Sequence, residues 1–208
     1  MSNIRKTSKA RKQPAHGGIG LEATVSALLQ AMIVWDADNY HHCLRSADYA
    51  AALCAELGVH GQEAEHIRIG TLLHDIGKLG VGLAVLNKAG RLNAAERDAT
   101  HRHAEMGASI LDRVLPPAIV ELVRDHHEQP DGNGYPRGLC ADQISRGAAI
   151  CRVAEVLDAL TTDQPYRQAK SLEAALTELQ AGAGTRYDEQ AVVALFALIE
   201  RRQLRPAA

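Results

Sequence analysis

The segment QEAEHIRIGTLLHDIGK, Gln62 to Lys78, reads as an apolar helix running to about Ile76 with His74 and Asp75 side by side near its end. Adjacent residues on a helix diverge by roughly 100°. Such a doublet can address two neighbouring metals rather than one, with Asp75 as the bridge between them. Lys78 stands four residues after His74, which predicts the same helical face.

Outward from this segment the pattern stays helical. Apolar residues recur at three- and four-residue spacing over Leu21 to Trp35 and Tyr40 to Leu57, with Gly58 a plausible stop for the second. Asn93 and Glu96 form a capping-box pattern before Ala94, and Pro116 and Pro117 suit the first turn of a helix running into His126. Further helices are expected over Arg146 to Leu160, Leu172 to Leu179 and Asp188 to Arg201. Between Gln129 and Gly138, Pro130, Gly132, Gly134, Pro136 and Gly138 forbid a regular helix. No strand alternation or internal repeat is present. The expectation is one all-α domain, a helical bundle with a Gly/Pro-rich loop, over residues 21–208, preceded by a flexible basic tail over 1–20.

Composition limits the alternatives. The 208 residues suffice for one substantial core, and with aromatics at only 3% that core must be built from Ala, Leu, Val and Ile. A net charge of -2 argues against a nucleic-acid-binding surface, and no apolar run reaches the ~20 residues of a membrane span. Arg5, Lys6, Lys9, Arg11 and Lys12 precede no apolar segment and read as a solvated tail. Cys43, Cys54, Cys140 and Cys151 form no Cys-x-x-Cys pair, which points to reduced cysteines in a cytoplasmic protein.

A second doublet, His126-His127, closes another helix and is followed by Glu128. Two doublets, a further His103 and a downstream acidic residue make a metal centre the expected chemistry. Imidazole and carboxylate together suit Fe, Mn, Zn or Co without selecting among them. Two such ions about 3.5–4 Å apart acidify a shared water and clamp a phosphate for in-line attack.

At this point the chain resembles the HD-GYP subgroup of the HD metal-dependent phosphohydrolases. The matching motifs are His74-Asp75-Ile76-Gly77-Lys78, His126-His127-Glu128 and Asp131-Gly132-Asn133-Gly134-Tyr135-Pro136, and the resemblance runs from about Asp36 to Leu195. It implies an all-helical bundle holding two or three metals, often iron or manganese. It also implies hydrolysis of cyclic di-GMP, a bacterial second messenger, to linear pGpG and in some members on to GMP.

Carried over position by position, the resemblance implies His42, His74, Asp75, His103, His126, His127 and Glu155 as metal ligands. Asp38, four residues before His42, is the candidate for a third metal. Asp75 and Lys78 would be the catalytic pair, Lys78 stabilising phosphoryl charge. Asp36, Tyr135, Gln164 and Arg167 are the substrate-binding candidates, with the Gly132 to Pro136 turn as a substrate wall or a cap on the preceding helix. His16, His41, His60, His66 and His101 are read as non-ligands.

Some positions depart from the family pattern. Glu155 replaces the usual Asp, Gln164 an Arg before Pro165-Tyr166, Gly82 a Pro, and Ser145 and Ala149 a Pro and an Arg. Loss of a charge-assisted hydrogen bond at Gln164 costs about 1.5–3 kcal/mol. Three functions therefore stand beside one another: a cyclic di-GMP phosphodiesterase, a weak or inactive cyclic di-GMP- or partner-binding signalling module, and a phosphohydrolase of another nucleotide. Only a short basic tail precedes the resemblance, so regulation is expected from metal, redox state, a partner protein or expression. Ala-rich helical faces could support a homodimer or belong to the core.

Overall fold

The computed structural model describes residues 20–86, 88, 90–163, 167–204 and 206. The N-terminal tail expected over residues 1–20, apart from Gly20, and the substrate candidate Gln164 lie outside the described residues. Among the described residues the chain is all-helical, as the sequence predicts. The helices are α1 (Leu21–Trp35), α2 (Ala37–Glu56), α3 (Gly61–Leu73), α4 (Leu83–Leu86), α5 (Ala94–His101), α6 (His103–Leu111), α7 (Pro117–Asp125), α8 (Arg146–Thr161), α9 (Leu172–Ala181) and α10 (Glu189–Glu200). Short 3-10 turns cover Ile76–Gly80 and Ala141–Gln143.

The boundaries follow from local chemistry. The Asp36 carboxylate caps α2 by accepting from the Asn39 N–H at 3.0 Å, and Gly58 takes φ +69° after that helix ends. Asn93 and Glu96 form the expected capping box at α5. Ser145 caps α8 by accepting from the Ala148 N–H at 3.3 Å, so at that position the helix start gains a hydrogen bond that a proline could not supply.

Helices α2, α3 and α8 pack on one another, and α7 lies against α3, α6 and α8. The shared core is aliphatic, with Leu53, Leu73, Leu111, Leu122, Leu157 and Leu195 fully buried. Each such side chain contributes roughly 1.5–3 kcal/mol over its exposed state.

Three elements differ from the expectation, one of them the four-residue α4, which the sequence reading does not include. Helix α3 ends at Leu73 rather than near Ile76, and from Asp75 (φ -96°, ψ 5°) the chain tightens into the 3-10 turn. The reason is close packing against α6. A Cβ on Gly77 would lie 1.9 Å from the His103 carbonyl oxygen and 2.4 Å from the Gly107 amide nitrogen. Only glycine permits this approach, and it sets Asp75 beside His103. Helix α6 itself is absent from the sequence reading, because its apolar face is short and α5 ends just before it, at His101.

Candidate metal centre

Five imidazoles meet where these helices end. Ring centroids lie 5.3 Å apart for His42 and His74, 5.0 Å for His74 and His126, 5.3 Å for His103 and His126, and 4.0 Å for His126 and His127. Their donor atoms fall into two groups, His42 with His74 and Asp75, and His103 with His126 and His127. Asp75 joins them: its carboxylate lies 3.5 Å from His74 Nε2 and 3.4 Å from His103 Nε2.

The orientation of three rings comes from the helix ends. The last four carbonyls of a helix have no partner within it. His74 Nδ1–H donates to the Thr71 carbonyl at 2.7 Å, at the end of α3. His103 donates in the same way to Thr100 at 2.6 Å, at the end of α5, and His126 to Val123 at 2.8 Å, at the end of α7. Each ring thus donates to a helix-end carbonyl three residues back and turns Nε2, with its lone pair, inward. This is the tautomer a metal ligand needs.

His42 reaches the same state through a side chain. Its Nδ1 lies 2.7 Å from the buried Asp158 carboxylate, which also accepts from Arg45 Nε at 2.6 Å and Arg45 Nη2 at 3.0 Å. His127 differs. Arg152 Nη1 donates to its Nδ1 at 3.0 Å and to Glu155 Oε1 at 2.5 Å. Arginine has no acceptor, so the His127 proton sits on Nε2.

The donor set fits divalent metal ions. His103 Nε2 and His126 Nε2 lie 3.3 Å apart. Both Nδ1 atoms already carry the donated proton, so neutral rings oppose two lone pairs at this distance. Burial pushes His74, His103, His126 and His127 below the ordinary imidazole pKa, the last two well below it. Proton sharing between the rings is therefore disfavoured, and a cation held by both lone pairs relieves the repulsion. The two clusters are consistent with the binuclear site of HD domains.

Lys78 is placed by the 3-10 turn rather than by a helical face shared with His74. Its ammonium donates to Asp75 Oδ2 at 2.6 Å, three residues back, and to Asn39 Oδ1 at 3.1 Å. Burial alone would raise the Asp75 pKa. The attraction of Lys78 and the surrounding histidines outweighs it and holds the carboxylate well below its usual range.

The rim is built by the Gly/Pro-rich loop. A Cβ on Gly134 would lie 2.4 Å from the Gln129 amide nitrogen, so glycine lets the loop fold onto the end of the His126-His127 segment. The buried Glu128 carboxylate secures it, accepting from the Arg137 N–H at 2.6 Å and the Leu139 N–H at 2.8 Å. Tyr135 stacks between His101, at 3.9 Å between centroids, and His127, at 4.6 Å.

Not all the candidates gather here. Glu155 belongs to neither donor group, its Oε1 lying 3.9 Å from His127 Nδ1. Asp38 is exposed in the first turn of α2 and Asp36 caps that helix. The Arg167 guanidinium donates to the carbonyls of Ala159, Leu160 and Gln168. Asp158, Asn39, His101 and Arg152 are additions from the structure. Only Asp158 left a trace in the sequence: it follows Glu155 by three residues, as Arg45 follows His42.

Comparison with known proteins identifies the family and the fold. The HD domain family matches residues 24–191. The chain is 37% identical over 155 residues to the 3'3'-cGAMP-specific phosphodiesterase 3 of Vibrio cholerae, covering 74% of this chain and 34% of that protein. It is 34% identical over 176 residues to a cyclic di-GMP phosphodiesterase response regulator of Xanthomonas campestris pv. campestris, covering 83% and 46%. The chain thus spans between about a third and a half of the length of these curated relatives. The fold matches an HDG"Y"P protein from Bdellovibrio bacteriovorus with a TM-score of 0.65 at 18% identity, over 86% of this chain and 60% of that one. The match runs through both doublets, His74-Asp75 and His126-His127, and the Gly-Tyr-Pro turn, and this chain belongs to the HD-domain family.

Proposed function

We propose that the chain is a metal-dependent phosphodiesterase that opens a cyclic dinucleotide, cyclic di-GMP first and 3'3'-cGAMP second, with linear pGpG as the product from cyclic di-GMP. The observation that carries this reading is the pair of Nε2 atoms of His103 and His126, 3.3 Å apart beside the Asp75 carboxylate, with every competing proton fixed on Nδ1. Relatives named for both substrates support the substrate class.

Two ions, iron or manganese, held by His42, His74, Asp75, His103, His126 and His127 would supply Lewis acidity toward a phosphoryl oxygen and an acidified water. The chain's own residues do the rest. Asp75 stays ionised because Lys78 neutralises it, so it can serve both donor groups. Burial raises the Tyr135 pKa, so its hydroxyl remains a neutral donor on the rim beside His127. With both faces of its ring covered by imidazoles, Tyr135 offers its edge and hydroxyl to a nucleotide at the rim.

The test is turnover of cyclic di-GMP and 3'3'-cGAMP, each with Mn(II) or anaerobic Fe(II), with products separated by chromatography. Linear dinucleotide from cyclic di-GMP, lost in His126→Ala, is the expected result. The guanidinium of Arg152 on Glu155 and His127 favours one alternative, a cyclic di-GMP-binding module without turnover. Bound metal and bound nucleotide with no linear product would establish that alternative.

A further inference from the structure

Arg152 lies on α8 three residues before Glu155, and most of its side chain is buried. Its Nη1 occupies the lone pair of His127 Nδ1 and one oxygen of Glu155, two groups that the family pattern assigns to metal. Its Nε is buried without a hydrogen-bond partner, so the guanidinium is not fully satisfied where it stands. Its other face lies over the Tyr187 ring, 5.8 Å from the centroid, and lines a cavity of about 200 Å³ that Glu128, Arg186 and Asp188 also border. In the opposite donor group the cations sit on carboxylates rather than on an imidazole lone pair: Lys78 on Asp75, which both groups share, and Arg45 on Asp158, which holds His42 Nδ1.

We infer that Arg152 is a tethered cation that occupies the His127–Glu155 side of the centre, making the second metal weaker than the first and requiring the guanidinium to withdraw into the adjoining cavity when that metal binds. A positive charge beside a divalent ion opposes it through Coulomb repulsion, and in a buried site water screens this poorly. The hydrogen bond also occupies the lone pair that His127 would offer a metal on this side. With Nδ1 accepting, the proton is on Nε2, so the one lone pair of the neutral His127 ring is the one the guanidinium holds, whereas the Nε2 lone pairs of His74, His103 and His126 face no guanidinium. Filling the second site through His127 therefore requires the guanidinium to leave that lone pair, whereas no lone pair of His42 or His74 has to be freed from a cation. Arg152 is a positioning residue here, and its role rests on the metal-dependent reading above.

The experiment is titration of metal-free protein with Mn(II), the free ion being counted by electron paramagnetic resonance. The parent is expected to bind one ion tightly and a second more weakly. In Arg152→Met the second constant should tighten by about tenfold or more while the first moves little. Arg152→Lys, which keeps the charge, should leave the second ion weak. An unchanged or weakened second site in Arg152→Met overturns the inference.

A measurement on the parent needs no variant to fold. Nitrogen-15 spectra of the imidazoles should show His127 protonated on Nε2 while His74, His103 and His126 carry Nδ1–H, with His127 changing at the second equivalent of Zn(II). A His127 that already carries Nδ1–H before metal is added overturns the inference. Two equally tight ions in the parent remove it and leave the phosphodiesterase reading intact, whereas a chain that binds no ion removes both.

Discussion

The inner and outer imidazoles of this centre are oriented by different means. His74, His103 and His126 take their orientation from a carbonyl three residues back at a helix end. His42 and His127 depend on side chains of one distant helix, α8, which gives the first a carboxylate and the second a guanidinium. The inner rings are thus set by local structure as soon as their helices form. The outer pair is set only when α8 docks, and it is there that one substitution can alter the centre without disturbing its frame.

The largest effect is expected at the residue that both donor groups share. Asp75→Asn removes the one carboxylate within 3.5 Å of both His74 and His103 and leaves Lys78 without its closest partner. Metal affinity should fall by more than the roughly 10–100-fold typical of residues that only support a ligand. Metal content after dialysis measures this. Retention of two ions would show that the inner histidines alone hold the centre.

Asp158→Asn tests the outer set and should be milder. The amide cannot hold both the His42 proton and the Arg45 guanidinium as the carboxylate does. An affinity loss of about 10–100-fold is expected for one ion only, with the other unchanged in the same titration. Equal loss at both ions would mean that inner and outer rings are coupled through α8.

The same division decides what was legible in the sequence. The doublets His74-Asp75 and His126-His127 could be read because ligand types stand together at the ends of apolar helices. The helix-end carbonyls that orient the rings are a consequence of that placement. The glycines of the 129–138 loop likewise announced an interrupted helix, and Gly134 carries that out by packing on the backbone of Gln129. Asp158 could not be read as the partner of His42, because 116 positions separate them and only the packing of α2 on α8 joins them. Arg152 was silent for a different reason. An Arg three residues before a Glu is an ordinary surface pair on a helix, and only burial beside His127 makes it part of the centre.

A smaller and pH-dependent effect should separate the buried rings from the rest of the fold. His74, His103, His126 and His127 have folded-state pKa values below the ordinary one, with burial as the leading cause, so the native protein keeps them neutral. Below about pH 6.5 the unfolded chain takes up these protons and the folded one resists. Stability of the metal-free protein should therefore be level above that pH and fall on acidification. Asp75, whose folded pKa is depressed, adds a further loss nearer its unfolded value, about 3.8. Thermal melts across about pH 5 to 8 read the histidine part. His126→Gln should flatten the slope, and an unchanged slope would assign the acid sensitivity to other groups.

The smallest effect is expected where α8 ends. Arg167 donates to the carbonyls of Ala159 and Leu160, which follow Asp158 directly. Both carbonyls belong to the last turn, where the guanidinium serves as a cap, and the Leu160 carbonyl accepts from the Lys170 N–H as well, at 2.8 Å. Arg167→Ala should cost about 0.5–1.5 kcal/mol of stability, the usual worth of one hydrogen bond. It should weaken the His42-side ion only slightly, because Asp158 remains tied to Arg45 by two hydrogen bonds. A melting curve and the Mn(II) titration measure the two consequences together. A raised KM for cyclic dinucleotide with stability unchanged would instead move Arg167 to the substrate side, and the end of α8 would then be held by the Lys170 N–H on the Leu160 carbonyl and by the packing of the helix on its neighbours.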